Sequence, residues 1–211
     1  LDSTRDRLVF TALTLFSEKG YQSTSVADIL KAAGANSGSL YHAFPTKQDL
    51  LLAVLEMYRD GIEPMLLAPA WAGVEDPIER VFALLGAYRR SLDVTDCLYG
   101  CPIGSLALEL HEPDPPVREM LAANFDGWRA HVKACLDAAG GRLPSDVDTA
   151  RLAAFVLTVM EGGVMQSRTY RTLEAYDGCV ATLRDYFQRL EASAASAPRD
   201  RSAEGKGDHH A

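Results

Sequence analysis

Apolar positions recur at helical spacing along almost the whole chain. Leu8, Ala12, Leu15 and Phe16 fall at i, i+4, i+7 and i+8, which predicts an amphipathic helix running to about Lys19 and ended by Gly20. Val26, Ile29, Leu30 and Ala33 share one face of a second, shorter helix, and Gly34 can take the positive φ that stops it. Asn36 can cap a third helix through its side-chain oxygen. Leu40, Tyr41 and Phe44 give that helix an apolar side, and Pro45 ends it by disfavouring α geometry at Phe44. Thr46 caps a fourth helix beginning at Lys47, carried by Leu51, Val54, Leu55, Tyr58 and Ile62 to Gly61 or beyond, with Gly61 and Pro64 weakening or kinking its far end. Over Ser25 to Leu50 this is a helix, a short turn holding Gly, and a short second helix. That is the helix-turn-helix pattern, whose second helix enters a DNA major groove.

The remaining pattern is also helical. Pro69 to Asp76 is a connection, and Asp76-Pro77 restarts a helix with Asp as N-cap and Pro at the first helical position. Ile78, Val81, Phe82, Leu85, Tyr88 and Leu92 form its buried face to about Asp93. Residues 94–102 read as irregular, 103–110 as a short apolar helix, and 111–116 as a break. Val117, Leu121, Phe125, Trp128, Val132 and Leu136 define a long helix ending at Gly140-Gly141. Asp146 or Asp148 caps the next, along which Leu152, Phe155, Val156, Val159, Met160 and Gly163 are apolar on more than one face. Tyr176, Val180, Leu183, Phe187 and Leu190 mark the last helix. Two long, widely apolar helices at the end of a chain need a surface to bury them, either the monomer's own core or a partner. No strand pattern or internal repeat competes, so the fold class is all-α: a three-helix reading head over residues 1–48, a helical body over 49–194, and a polar tail over 195–211 that reads as disordered.

The helix-turn-helix stretch resembles the DNA-binding signature of the tetracycline-repressor (TetR) family of bacterial transcriptional regulators. The matching residues are Thr24-Ser25-Val26, Asp28-Ile29, Ala32-Ala33-Gly34, Gly38-Ser39-Leu40-Tyr41, Phe44, Thr46-Lys47 and Leu50-Leu51, with Phe16 and Gly20-Tyr21 upstream. Ala35, Asn36 and Ala43 depart from the commoner pattern. The resemblance implies that the last two helices of two copies form a four-helix bundle, that a small molecule binds the body, and that the fourth helix transmits its presence to the heads. Tyr41, His42 and Lys47 match positions that touch the DNA backbone in such proteins. A weaker likeness, Gly100-Cys101-Pro102, points to multidrug-linked members.

Charge sharpens this picture. Net charge is −8, yet residues 1–48 hold five basic side chains (Arg5, Arg7, Lys19, Lys31, Lys47) against four acidic ones (Asp2, Asp6, Glu18, Asp28), a balance of +1 that leaves −9 for the rest. A small reader on an acidic body fits local phosphate contact and argues against nonspecific coating of nucleic acid. Cys97, Cys101, Cys135 and Cys179 form no disulfide framework and no strong zinc spacing, which suits a reducing cytoplasm. No run is long enough to span a membrane, and no secretory signal is evident.

Candidate DNA contacts follow from position. Ser37, Gly38 and Ser39 occupy the first turn of the recognition helix, where side chains approach base edges. Thr24 or Ser25, at the N-terminus of the preceding helix, can bind a phosphate, and Tyr41, His42 and Lys47 are further backbone contacts. Tyr41 also reads as a packed aromatic and His42 as a solvated one. Arg5, Arg7 and Lys31 are additional basic candidates.

An effector site should be an apolar cavity with a few polar groups. Its candidates are Phe82, Leu85, Tyr88, Leu106, Phe125, Trp128, Phe155, Met160, Glu161 and Met165. Glu161 stands out as an acid inside an apolar helix, with Arg168 two turns on as a partner for it or for a ligand. The expected dimer face is Val156, Val159, Gly163, Val180, Leu183 and Phe187. A thiol switch at Cys97 and Cys101 competes with buried, inert cysteines. Glu109, His111 and Glu112 raise enzyme or metal chemistry, but at no metal-ligand spacing, and His209-His210 is too short for a metal site. No cofactor is expected. The sequence thus reads as a dimeric, ligand-responsive repressor of a palindromic DNA operator. The alternative is an architectural or cell-division DNA-binding protein without a small-molecule switch.

Overall fold

The computed structural model describes residues 3–196. The stretch 197–211, including His209-His210, lies outside the described residues. Ala195 and Ser196, assigned to the tail from sequence, continue the last helix instead.

Local chemistry places the helices of the head. Ser3 caps α1 (Thr4–Lys19), which buries Leu8, Val9, Ala12 and Phe16 and stops at Gly20, whose φ is +85°. Ser25 opens α2 (Val26–Ala33) with a capping box: its hydroxyl accepts the Asp28 amide while the Asp28 side chain accepts the Ser25 amide. Gly34, at φ +59°, ends α2 in the left-handed conformation that a side chain rarely tolerates. Asn36 caps α3 (Ser37–Ala43) by accepting the Ser39 amide at 2.8 Å. Thr46 and Asp49 form a second capping box at the start of α4 (Lys47–Gly61). Asn36 and Thr46 cap where the sequence placed them, while the caps at Ser3 and Ser25 are additional.

Helix α4 joins head to body. Past Gly61 it does not break at Pro64 but widens into a π-helical turn, Ile62–Leu67, before the short α5 (Ala68–Trp71). A proline lacks the amide that α geometry needs, and a wider turn absorbs it. The body continues with α6 (Pro77–Val94), α7 (Pro102–Glu109), α8 (Pro115–Ala138), a 3₁₀ turn (Gly140–Arg142), α9 (Thr149–Tyr170) and α10 (Glu174–Ser196). Asp148, not Asp146, caps α9. No strand occurs among the described residues. No helix among them is long and apolar enough to cross a membrane.

Packing ties these elements together. Helix α8 lies against α4 and α9, and α9 against α10. Gly163 lets α9 and α10 approach closely, since a Cβ there would stand 3.0 Å from the Tyr176 ring. Tyr176 is itself buried and donates its hydroxyl to the Leu85 carbonyl at 2.8 Å, so one aromatic pins α10 to both α9 and α6. The Asn124 amide nitrogen donates to the Leu55 carbonyl, fixing α8 on α4. Asp76 caps α6 by accepting the Ile78 and Glu79 amides, and it also accepts Arg142, which in turn reaches Glu191 of α10. These donors, the Glu79 amide first, hold the Asp76 carboxyl below its ordinary pKa. Its contribution is therefore present above the ordinary carboxylate value and is lost as pH falls through the lower folded one. Asp76→Ala is expected to cost about 1 kcal/mol, seen as a Tm lower by roughly 2–4 °C at neutral pH. That loss should shrink in acid.

Candidate DNA interface and effector site

The exposed side of α3 forms the candidate reading surface. Leu40 is fully buried and Phe44 nearly so, and these two anchor the helix to the head. Opposite them, Ser37, Gly38, Tyr41 and His42 are exposed and Ser39 is half-buried. Tyr41 is 53% exposed, so its ring stands out from the head and is not packed into it. The sequence-predicted set therefore meets on one face, with three exceptions.

Thr24 is the first. It is fully buried, and its hydroxyl donates to the Gly20 carbonyl at 2.7 Å, so it shapes the α1–α2 loop and cannot reach a phosphate. Ser25 is exposed, but its hydroxyl is committed to Asp28 at 2.6 Å within the capping box. Only its position at the helix start still favours an anion. Lys47 is turned inward: its ammonium donates to the Tyr21 carbonyl and lies 4.1 Å from the Tyr21 ring centre. Burial pushes its pKa down, opposed by Glu109. Its first role is structural. Arg5 rests over the Phe44 ring at 5.1 Å.

The body has a cleft with a polar centre elsewhere than the sequence suggested. Phe82 stacks edge-on against Phe187 at 5.3 Å, Trp128 donates its ring N–H to the Tyr88 hydroxyl at 3.2 Å, and Leu85, Leu106 and Met160 are buried. Phe125 is partly buried against the same core. These are packing residues. Phe155 is on the outside, 47% exposed beside Tyr186. Of the predicted effector residues, only Glu161 and Met165 line the cleft, which has a volume of about 310 Å³ between α7 and α9. Gly104, Ser105, Val164 and Arg168 complete its centre.

Glu161 gives this cleft its polarity. Burial pushes its carboxyl above the ordinary pKa, and a hydrogen bond from Cys101 pulls part of the way back. Its Oε1 is buried with no hydrogen-bond donor among the described residues. The expected Glu161–Arg168 pair does not form; Arg168 instead reaches Ser105 at 3.5 Å. Cys97 and Cys101 are both buried, and burial beside Glu161 pushes the Cys101 thiol far up, the opposite of an activated thiolate. This disfavours the thiol-switch reading. Glu109 likewise has no metal-binding neighbours among the described residues. Its carboxylate accepts the amides of Tyr21 at 2.9 Å and Gln22 at 2.6 Å, a link between body and head that no sequence spacing signalled.

The expected dimer face also needs correction. Val156, Gly163, Leu183 and Phe187 are buried in the protomer's own core, because α10 packs there through Tyr176 and Phe187. Val159 and Val180 are only partly buried. The outward apolar stripe runs instead along Phe155, Val159, Cys179, Thr182 and Tyr186.

Comparison with known proteins fits this geometry. Residues 8–54 match the sequence model of "Bacterial regulatory proteins, tetR family", and residues 77–183 match "Tetracyclin repressor-like, C-terminal domain". A helix-turn-helix transcriptional regulator of Mycobacterium tuberculosis is 32% identical over 178 residues, covering 82% of this chain and 88% of its own. The transcriptional regulator LmrA of Bacillus subtilis is 28% identical over 78% of this chain and 86% of its own. The crystal structure of a TetR regulatory protein from Rhodobacter sphaeroides superposes with a TM-score of 0.77 at 26% identity, over 89% of this chain and 98% of that one. A head that presents α3 on a helical body is the architecture of a DNA-binding transcriptional regulator. This chain belongs to the tetracycline-repressor family.

Proposed function

We propose that the protein is a homodimeric repressor that binds a palindromic operator in the cytoplasm and leaves it when a small molecule enters the α7–α9 cleft. Residues 1–48 act as the reading unit and residues 49–194 as the sensing and dimerising body. The observation that carries this reading is the pairing of an exposed α3 face with an outward apolar stripe on α9 and α10 of the same chain. A second copy seated on that stripe supplies the second recognition helix. The two helices must then lie about 34–36 Å apart, one turn of DNA, or a multiple of it.

Ser37 and Ser39 offer adaptable donors and acceptors to base edges, while Tyr41 and His42 hold the backbone. Repression that yields to a signal needs two states with different DNA affinity, and a coupling of about 1–3 kcal/mol is typical. The cleft, with its orphaned buried carboxylate oxygen, supports a small-molecule signal over an architectural role without one.

The test is binding of full-length protein to the DNA flanking its own gene, with and without a panel of apolar compounds. Specific binding released by one compound class supports the proposal. Specific binding that no compound disturbs supports the architectural reading. Affinity is expected to fall steeply with salt through counterion release, log Kd rising linearly with log salt concentration. A flat salt profile would count against phosphate contact.

A further inference from the structure

Helix α7 is eight residues long and has its two ends in different functional places. In its first turn, Gly104 lies so close under the Glu161 carboxylate that a Cβ there would collide with Oε2. At its last residue, Glu109 grips the Tyr21 and Gln22 amides of the head. The two are five positions apart, about 7.5 Å along a helix. A helical segment this short moves as one piece.

We propose that the α7–α9 cleft takes a small neutral molecule presenting a hydroxyl or amide donor to Glu161, and that α7 carries its arrival to the head through Glu109. The proposal rests on the effector-responsive reading above.

The ligand chemistry follows from what lines the cleft. Glu161 Oε1 is a buried acceptor with no donor among the described residues, so a bound N–H or O–H relieves a standing cost. A cation would face the guanidinium groups of Arg168 and Arg171 on the same walls. An anion at the inner end would face Glu161. A neutral donor avoids both, its apolar part lying against Val164, Met165 and Leu108.

The transmission follows from how tightly both ends of α7 are held. Glu161 already occupies the space left by the missing Gly104 side chain, so a molecule that displaces Glu161 presses on α7. At the other end, Gly20 takes φ +85° and its Cβ position lies 3.0 Å from both Glu109 oxygens, so the loop backbone sits directly on the carboxylate. Tyr21 is the hub of that loop. Its amide goes to Glu109, its carbonyl accepts Lys47 of α4, and its ring packs edge-on against Phe16 of α1. A small shift of α7 therefore acts where α1, α2 and α4 meet, which sets the angle of the reading helix to the body.

The experiment uses full-length protein and a duplex selected by the wild type from a random pool. Gly104→Ala places a methyl where the ligand would press. It is expected to weaken duplex binding at least about tenfold with no compound added, the scale of a typical allosteric coupling. Amide hydrogen exchange at Tyr21 and Gln22 should also accelerate. Glu109→Ala, at the far end, is expected to give the same faster exchange and the same loss. For the ligand, 2-naphthol and benzamide are expected to raise Tm, benzylamine and benzoate are not, and Glu161→Leu should abolish the rise. Folded, dimeric Glu109→Ala with wild-type exchange and duplex affinity would overturn the transmission, whatever Gly104→Ala does. A rise with benzylamine or benzoate alone, or with none of the four, would overturn the ligand class. If the wild type selects no duplex, the repressor reading fails, while the exchange measurements still decide whether α7 links cleft to head.

Discussion

Tyr186→Asp should turn the protein into a monomer and weaken operator binding by at least about a hundredfold. Tyr186 stands 44% exposed on α10, edge-on to Phe155 of α9 at 6.1 Å, at the centre of the outward apolar stripe. A twofold interface uses the same patch on both copies, so one substitution places two carboxylates in it. An unpaired carboxylate resists leaving water, and two of like charge resist it more. Once the copies part, each head binds alone and loses the high effective concentration that its tethered twin provided. Sedimentation equilibrium reads the mass, and fluorescence anisotropy on a labelled duplex reads the affinity. Because Tyr186 is outside the protomer core, the far-ultraviolet circular dichroism spectrum should stay helical. A dimer that persists with unchanged affinity would move the interface elsewhere.

Leu40→Ala should abolish specific binding while leaving the dimer intact. Leu40 is the one fully buried side chain of α3, a seven-residue helix held otherwise by its Asn36 cap and Phe44. A helix that short is not stable by itself. Truncating a buried leucine costs about 2–5 kcal/mol, which is large for a three-helix head. The recognition helix should then fray, shown by faster amide exchange across residues 37–43. Helix α3 packs on α1 of the head and not on α9 or α10, so the dimer mass should not change. Wild-type binding by this variant would mean that α3 does not read the DNA.

The head was legible in the sequence because its signals are local. Asn36 and Thr46 read as caps, and each caps the amide three residues on, at Ser39 and Asp49; Ser25, which reads as a phosphate contact, forms a cap of the same spacing with Asp28. The orientation of a single hydroxyl or amine was not legible. Thr24 and Lys47 sit in the motif yet turn into the protein, toward the Gly20 and Tyr21 carbonyls. In the body, residue type could not tell the inner from the outer face of α9. Val156 and Val159 are both valines, one fully buried and the other part of the outward stripe. Gly163 read as an interface residue because its helix is apolar on more than one face, and the element it lets approach closely is Tyr176 of the same chain. Glu161 was legible as an acid on an apolar helix. Gly104 beneath it, and the grip of Glu109 on the head loop 87 residues earlier in sequence, depend on tertiary contact and carry no periodic signal.

The most direct measurement is a titration of the full-length protein onto its selected duplex, following mass and affinity together, first alone and then with each neutral apolar probe. Two chains on one palindromic duplex, released by a neutral donor-bearing compound, is the result expected of an effector-responsive dimeric repressor. One chain per duplex, or specific binding that no compound disturbs, would contradict it.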